Sequence, residues 1–132
     1  MSQFIEFIYS APISNKIWFT AGTYIGYINT ATDLFTAYNT NILISRTVGS
    51  TPSGFIEVNC LDVANNLIYA GECGGTNLVT FDMIANTFSV TNLTVITGGY
   101  FICSVQMLNS HPVINCYSSA VAWTRRQKLI KL

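Results

Sequence analysis

The sequence has few charged residues, few prolines and a single histidine. Charged side chains make up 9% of its 132 residues, against about 25% in an average soluble protein, and the formal net charge is zero. No uninterrupted apolar run approaches the roughly 20 residues that a membrane helix needs, so we expect no transmembrane segment. Residues 1–16 lack the basic start and the continuous apolar stretch of a secretory signal, which predicts a soluble or virion-associated protein.

The few charges are unevenly placed along the chain. Four of the six basic residues fall within the last eight positions, and all six acids precede them. These four are Arg125, Arg126, Lys128 and Lys131. Such a tail is either the solvated face of a final strand or an arm for nucleic acid or anionic lipid. Four charges without a wider basic surface make a weak electrostatic footprint, so we favour the strand and do not expect nucleic acid as a partner.

The residues that are abundant are typical of β-structure. Ile, Val and Thr supply 39 residues, and their branched side chains fit a pleated strand better than a helical turn. With 50% hydrophobic and 13% aromatic residues, the chain can bury enough apolar surface to form a core. Its length fits one domain. We therefore predict a single all-β domain that spans residues 1–132.

The most informative feature is a threefold internal repeat. Residues 8–38, 58–90 and 102–132 share one order of extended apolar stretches and polar turns, which predicts four strands per unit. The unit boundaries are placed at about residues 4–48, 49–96 and 97–132. Pairs of small residues, each thirteen positions apart, recur at places that look equivalent in the three units: Ser10 and Thr23, Cys60 and Cys73, and Cys103 and Cys116.

A tight antiparallel hairpin is predicted late in each unit. The pattern is a hydrophobic and a polar residue, a short turn, then a polar and a hydrophobic residue. Asn and Asp favour such turns because their side chains bond to the neighbouring backbone. The three sets are Ile28, Asn29, Asp33 and Phe35; Phe81, Asp82, Asn86 and Phe88; and Trp123, Thr124, Lys128 and Ile130.

Two units resemble blades of known β-propellers. Residues 15–20 (NKIWFT), 25–28 (IGYI) and 32–35 (TDLF) are similar to a blade of the streptogramin-lyase type. Residues 65–69 (NNLIY), 78–82 (LVTFD) and 86–88 (NTF) resemble the YVTN type. The resemblance is weak in the third unit, and it implies a blade and not an activity. The catalytic His and Glu of the lyases have no counterpart in these units.

Three blades are too few for a closed propeller, which typically has four to eight. Residues 17–21 and 67–70 are apolar on both faces, as in a strand that is covered from two sides. We therefore expect two chains to close a six-bladed ring as a homodimer. Residues 1–7 are expected to add an outer strand to the last blade. A β-trefoil, which closes alone from three four-stranded units, is the alternative fold.

The four cysteines leave three alternatives: small buried thiols, disulfides within units, or a metal site. The candidate pairs are Cys60 with Cys73 and Cys103 with Cys116. Their spacing differs from the Cys-x2-Cys zinc knuckle, so we predict no metal site. A two-residue turn at Asn65 and Asn66 would place Cys60 opposite Gly71 and leave its candidate partner slightly beyond usual disulfide reach. This favours buried thiols over disulfides.

The sequence contains no evident catalytic constellation. His111 precedes Pro112 in a predicted exposed turn, and no phosphate-binding loop is present, so we expect no cofactor. We predict a non-catalytic binding or structural module that presents grooves for a protein or glycan ligand, such as a lectin-like protein or a viral or cell-surface component. The alternative is a propeller-type lyase or hydrolase that acts through carboxylates such as Glu72 and Asp82.

Six aromatic residues are predicted to bind the ligand. An aromatic ring offers an apolar platform for a sugar face or for a protein anchor. The six are Trp18, Tyr24, Tyr27, Tyr69, Tyr100 and Trp123.

Overall fold

The strands of this protein form separate antiparallel sheets in the order of the chain. The computed structural model describes residues 5–8, 12–40, 46–48, 51–53, 56–72, 75–118 and 127–132. In that part of the chain, three sheets contain four, four and three strands, and a two-stranded sheet lies between the first two in sequence. This arrangement confirms the all-β prediction.

The first sheet begins with the N-terminal segment. Its strands are β1 (Ile5–Phe7), β2 (Lys16–Ala21), β3 (Tyr24–Asn29) and β4 (Leu34–Asn39), in that spatial order. Phe7 lies opposite Phe19, and the Ile8 amide continues the contact by donating to the Trp18 carbonyl at 3.0 Å. The expectation that residues 1–7 extend the last sheet is therefore wrong. The edge of β2 needs a hydrogen-bonding partner, and the nearest segment in the sequence supplies it.

The second sheet repeats the order of the first. A short hairpin of β5 (Arg46–Val48) and β6 (Thr51–Ser53) precedes it. Its strands are β7 (Ile56–Asp62), β8 (Leu67–Glu72), β9 (Asn77–Asp82) and β10 (Thr87–Asn92), with β7 and β10 at the two edges. All six residues of β10 are exposed, as expected for a polar edge strand.

The third sheet departs from the repeat. After the one-turn helix α1 (Thr94–Thr97), it contains β11 (Phe101–Leu108), β12 (His111–Tyr117) and β13 (Gln127–Lys131). Ile130 pairs with Ile114, so β13 lies beside β12, where the first two sheets have their third strand. The internal repeat predicts that Ile130 lies on the fourth strand of the third unit, and this prediction is wrong. Residues 119–126, with Trp123 and Thr124, lie outside the described residues.

The two predicted hairpins that fall within the described residues are confirmed in register. Ile28 pairs with Phe35 in the first sheet, and Phe81 pairs with Phe88 in the second. The polar residue before each turn caps it in the same way. The Asn29 side-chain oxygen accepts from the Ala31 amide at 2.9 Å. The Asp82 carboxylate accepts from the amides of residues 84 and 85 at 2.8 and 2.9 Å.

The turn between β7 and β8 is longer than the sequence predicts. Residues 63–66 form a four-residue turn, so Cys60 lies opposite Tyr69 and not opposite Gly71. The Asp62 carboxylate causes the difference, because it accepts hydrogen bonds from the backbone and side-chain amides of Asn65 at 3.3 and 2.7 Å. The predicted register is wrong by two residues.

The three larger sheets pack face to face. The first core lies between the first and second sheets, and Phe81 contributes to it with its ring centroid 5.5 Å from that of Trp18. The second core lies between the second and third sheets and is joined by α1 through Leu93. The buried residues of the first core are Trp18, Ile25, Ile68, Ala70, Val79, Phe81 and Met83. Those of the second core are Leu78, Leu93, Ile102, Val105, Ile114 and Cys116.

The second sheet is consequently covered on both faces, as the apolar residues 67–70 predict. Ile68 and Ala70 point into the first core, and Tyr69 packs against the second. On the other faces of the first and third sheets some side chains remain exposed, whereas Phe19 on the first sheet is buried. Phe35 on β4 is 64% exposed, and Leu129 on β13 is 73% exposed.

Candidate functional site

A cavity of about 260 Å³ lies between the first and second sheets, at the end where β2 and β8 begin. The strand β2 and the hairpin turn that precedes it contribute Ile13, Ser14, Lys16 and Trp18. The second sheet contributes turn residues Asn66, Met83 and Ile84. The wall therefore combines one cation, two neutral polar side chains and an apolar surface.

Two backbone turns bring the polar groups to this cavity. Ser14 and Asn15 both have positive φ, at 51° and 60°, and join Ile13 to Lys16 in a two-residue turn of the type that matches strand twist. Asn66 ends the turn before β8 with φ 58°. Asn tolerates this left-handed conformation better than most residues do, since its short side chain can bond to the local backbone.

Lys16 is the charged group of the cavity. Its ammonium lies 4.4 Å from the ring centroid of Tyr27 and 5.9 Å from that of Trp18, which are cation–π distances. Among the described residues, Lys16 makes no ion pair. Asp62 and Asp82 are the two cross-strand neighbours of Leu67 in the second sheet. Their side chains lie on the face of that sheet that points away from the first core and from Lys16.

Of the five predicted aromatic residues that the structure describes, Trp18 and Tyr27 are the two whose rings are in contact. Trp18 and Tyr27 are cross-strand neighbours with ring centroids 5.0 Å apart, beside the cavity. Trp18 is 2% exposed, so its ring face is occupied by the first core and by Lys16. The sequence prediction did not include Lys16, although a signal existed: it shares a strand face with Trp18 two positions away, and few other cations lie in the body of the chain.

The other predicted aromatic residues lie elsewhere. Tyr69 and Tyr100 are partly buried against the second core, and the Lys128 ammonium lies 5.8 Å from the Tyr100 ring. Tyr24 is 38% exposed on the outer face of the first sheet. Trp123 lies outside the described residues. The five aromatic residues that the structure describes therefore lie at three different places, and their role in ligand binding stays a prediction.

Three cysteines fall within the described residues, and all three carry free thiols: Cys60, Cys103 and Cys116. Cys103 occupies a bulge in β11 next to the pair of Ile102 and Cys116, and it is exposed while Cys116 is buried. Cys73 lies outside the described residues, so the structure does not place it relative to Cys60. The turn that follows the first strand has four residues in the second sheet and two in the third.

The Cys60 thiol titrates abnormally. Burial, and then the nearby Asp62 carboxylate, raise the pKa of Cys60 to about 11. The pKa of Tyr69 is raised by the same burial and by its charged neighbours. Because the folded state holds these protons more tightly than the unfolded chain does, the stabilising contribution is complete below pH 9 and falls as the pH approaches 11.

We predict that the unfolding free energy falls between pH 9 and pH 11, and that Cys60→Ala makes this fall shallower. The variant lacks the thiol whose deprotonation is costly in the folded state. Urea unfolding under reducing conditions at pH 7, 9 and 10.5 measures the effect. A slope with pH that is unchanged in the variant would assign the alkaline sensitivity to other groups, such as Tyr69.

The carboxylates of the alternative enzyme hypothesis do not meet. Glu72 ends β8 while Asp82 pairs with Leu67 at its start, so about 16 Å of strand separates the two. Glu72 is 1% exposed and accepts a hydrogen bond from the Asn77 side chain at 2.8 Å. Asp82 is committed to its turn, and these hydrogen bonds lower its pKa. The pair therefore cannot act on one substrate within one chain.

Other candidate chemistry is sparse in the described part of the chain. No group of three or more His, Cys, Asp or Glu side chains there could hold a metal ion. His111 begins β12 and is exposed, with Nδ1 3.1 Å from the Leu132 carbonyl oxygen. Lys128 and Lys131 are exposed on β13, which confirms a final strand for this part of the basic tail, while Arg125 and Arg126 lie outside the described residues. None of the described helices is long and apolar enough to cross a membrane.

Comparison of the chain with protein-family models, with curated proteins and with solved structures finds no match.

Proposed function

We propose that this protein is a non-catalytic binding module in which two chains assemble through their open sheet faces into a ring of six sheets. The observation that carries the proposal is the face-to-face stack of three sheets, whose outer faces expose apolar side chains such as Phe35 and Leu129. The outer face of the third sheet also carries polar side chains, among them Gln106 and Lys131. In a β-propeller, four-stranded sheets stack in this way around a central channel. The proposal therefore continues the resemblance of the first two units to propeller blades.

The arrangement of strands supports a propeller over a trefoil. Among the described residues, no strand ladder joins one of the three larger sheets to another. The sheets instead contact through side chains, and β11 packs beside β7, the first strand of the preceding sheet. A trefoil would join its units through shared ladders around one barrel. Between the first and second sheets, the corresponding contact joins β7 to β2, the second strand of the first sheet. Sheets that stack in chain order without shared ladders are compatible with the blades of a propeller.

The outer face of the first sheet fits burial against another sheet. The register places Ile17, Phe19, Tyr24, Ile28 and Phe35 on this face. None of the five is charged, and the Phe19 and Phe35 rings contact edge to face at 5.9 Å. Tyr24 and Phe35 are exposed, Ile17 and Ile28 are partly buried, and Phe19 is buried. Exposed apolar side chains that adjoin a partly buried apolar face favour an interaction site over a fully solvated face.

The area of the open faces is sufficient for a dimer. From strand spacing and rise per residue, a four-stranded face measures about 380 Å² and a three-stranded face about 290 Å². A ring of two chains would bury two faces of each kind, about 1,300 Å² in all, which lies within the range of specific interfaces. Each open first sheet would pack against the open third sheet of the second chain, and both contacts are related by one two-fold axis.

Phe35→Asp is expected to convert a dimer into a monomer, because it places a charge in the apolar contact. Leu34→Asp is the matched control: Leu34 is adjacent and 66% exposed, but its side chain lies on the opposite face of β4. Sedimentation should give wild type and Leu34→Asp twice the 14.5 kDa chain mass, and Phe35→Asp one chain mass. We expect the dissociation constant to rise at least about tenfold. A monomeric wild type at micromolar concentration would refute the ring.

The ligand of this module is not limited to a second chain. A glycan array with the wild-type protein tests the lectin-like version of the proposal. Binding to defined glycans would support it, and silence across the array would leave a protein or small-molecule ligand. The cavity beside Lys16 is a concave site among the described residues that could take such a ligand.

A further inference from the structure

We propose that the cavity between the first and second sheets binds a small organic monocarboxylate, whose charge lies against Lys16 and whose apolar part lies against Met83 and Ile84. This inference deepens the proposed binding function by naming a ligand class. It requires one chain only, because every lining residue belongs to the same protomer.

The charge of the ligand follows from Lys16. The described residues offer its ammonium two aromatic rings and no carboxylate. Across the first sheet, Lys16 on β2 pairs with Asn29 on β3, and Asn29 pairs with Leu34 on β4. Neither of these two neighbours is charged. A half-buried cation in such surroundings attracts an anion more strongly than a fully solvated one does, since screening by water is reduced.

The polar groups beside Lys16 complete a carboxylate site. Ser14 contributes a hydroxyl and Asn66 an amide, and both can donate to a carboxylate oxygen. Neither side chain has a hydrogen-bond partner among the described residues. Both residues have the left-handed backbone conformation of a tight turn. Their backbone positions are therefore defined before a ligand binds.

The remaining wall selects an apolar body of limited size. Met83 is 7% exposed at the inner end, and Ile84 is 74% exposed at the outer end. A volume of about 260 Å³ corresponds to about nine water molecules at roughly 30 Å³ each. Inorganic phosphate would leave the apolar wall uncovered. A neutral sugar would need a ring to stack on, and Trp18 is buried while Lys16 covers Tyr27.

The test compares three probes. Phenylacetate carries a carboxylate and an apolar ring, phenylacetamide has the same ring without the charge, and inorganic phosphate is charged but has no apolar part. Chemical shifts in an NMR titration report the site and the affinity together. We expect phenylacetate to bind the wild type about tenfold more tightly than phenylacetamide does and to shift Ile84 and Asn66. Equal binding of the two probes, or phosphate binding as tight as that of phenylacetate, would overturn the proposal.

Lys16→Met should abolish the preference for phenylacetate over phenylacetamide, because it removes the charge that distinguishes the two probes. The control, Lys131→Met, removes an exposed cation from the distant β13 and should behave as wild type. Ile84→Asn should weaken both organic probes, whereas Val63→Asn, at a 55% exposed turn position outside the cavity, should weaken neither. Equal effects of Lys16→Met and Lys131→Met would refute a specific role of Lys16.

A final comparison separates this inference from assembly. The Phe35→Asp chain should bind phenylacetate as the wild type does, because the cavity lies inside one chain. A dimeric wild type that does not bind phenylacetate would overturn the ligand proposal alone. A monomeric wild type that binds it would overturn the ring alone.

Discussion

Phe81→Ala is expected to lower the free energy of unfolding by about 3–5 kcal/mol, a large part of the 5–15 kcal/mol typical of a whole domain. Phe81 is fully buried in the first core, and its ring centroid lies 5.5 Å from that of Trp18 and 5.4 Å from that of Tyr38. Both partners belong to the other sheet. Truncation therefore leaves a cavity at the contact between two sheets, where neither sheet can close it alone.

Phe88→Ala is the matched control for this prediction. Phe88 is directly opposite Phe81 in the ladder and on the same face, but it lies on the edge strand β10 and is 38% exposed. Its truncation should cost about 1 kcal/mol. Urea unfolding of both variants measures the difference. Equal losses would mean that the two sheets are not held together by the first core.

The hairpins were predictable from the sequence because the information that forms them is local. Asn29 and Asp82 each precede a turn, cap its amides and are followed by a left-handed Asp or Asn. Such turn chemistry needs no contact with the rest of the chain. The coverage of β8 on both faces was also predictable, since its unbroken apolar residues cannot face water.

The errors arose where a side chain or a distant strand decides the outcome. A single hydrogen-bonding acid, Asp62, widens the turn before β8 and shifts Cys60 from Gly71 to Tyr69. The strand β13 pairs with β12, although residues 118–126 separate the two in sequence, and no equal spacing of residues reveals this pairing. Sequence periodicity reports the faces of a strand, but pairing partners depend on which free edge is within reach.

The candidate site was only partly predictable for the same reason. The sequence predicts Trp18 and Tyr27 as ligand-binding residues because of their aromatic rings. The ring of Trp18 is buried, however, and the charged group that lines the cavity is Lys16 beside it. The opposite wall comes from Asn66 and Met83, about 50 or more residues later in the chain. The cavity forms because the first and second sheets pack against each other with their corresponding turns at the same end. The internal repeat is therefore the feature of the sequence that indicates such a site.

Gly26→Ala is expected to destabilise the first sheet by about 3 kcal/mol, at the upper end of the usual cost of overpacking. A Cβ at Gly26 would collide with the Thr36 carbonyl oxygen and lie 2.8 Å from Phe19 Cζ and 2.9 Å from Ala37 Cα. Two of these atoms belong to the backbone of β4, which is held by the ladder that pairs Gly26 with Ala37. Relief therefore requires the two strands to separate, and Phe19 would lose its place over the glycine.

Two further variants separate this clash from other effects of replacing a glycine. Gly98→Ala tests backbone strain alone, because Gly98 has φ 67° and nothing lies within 4 Å of an added Cβ. It should cost about 1 kcal/mol. In a Phe19→Ala background, Gly26→Ala should still cost about 2 kcal/mol, because the backbone contacts with β4 remain. If removal of the Phe19 ring instead abolishes the cost, the obstacle is the ring, and β3 and β4 do not approach as closely as their backbone atoms indicate.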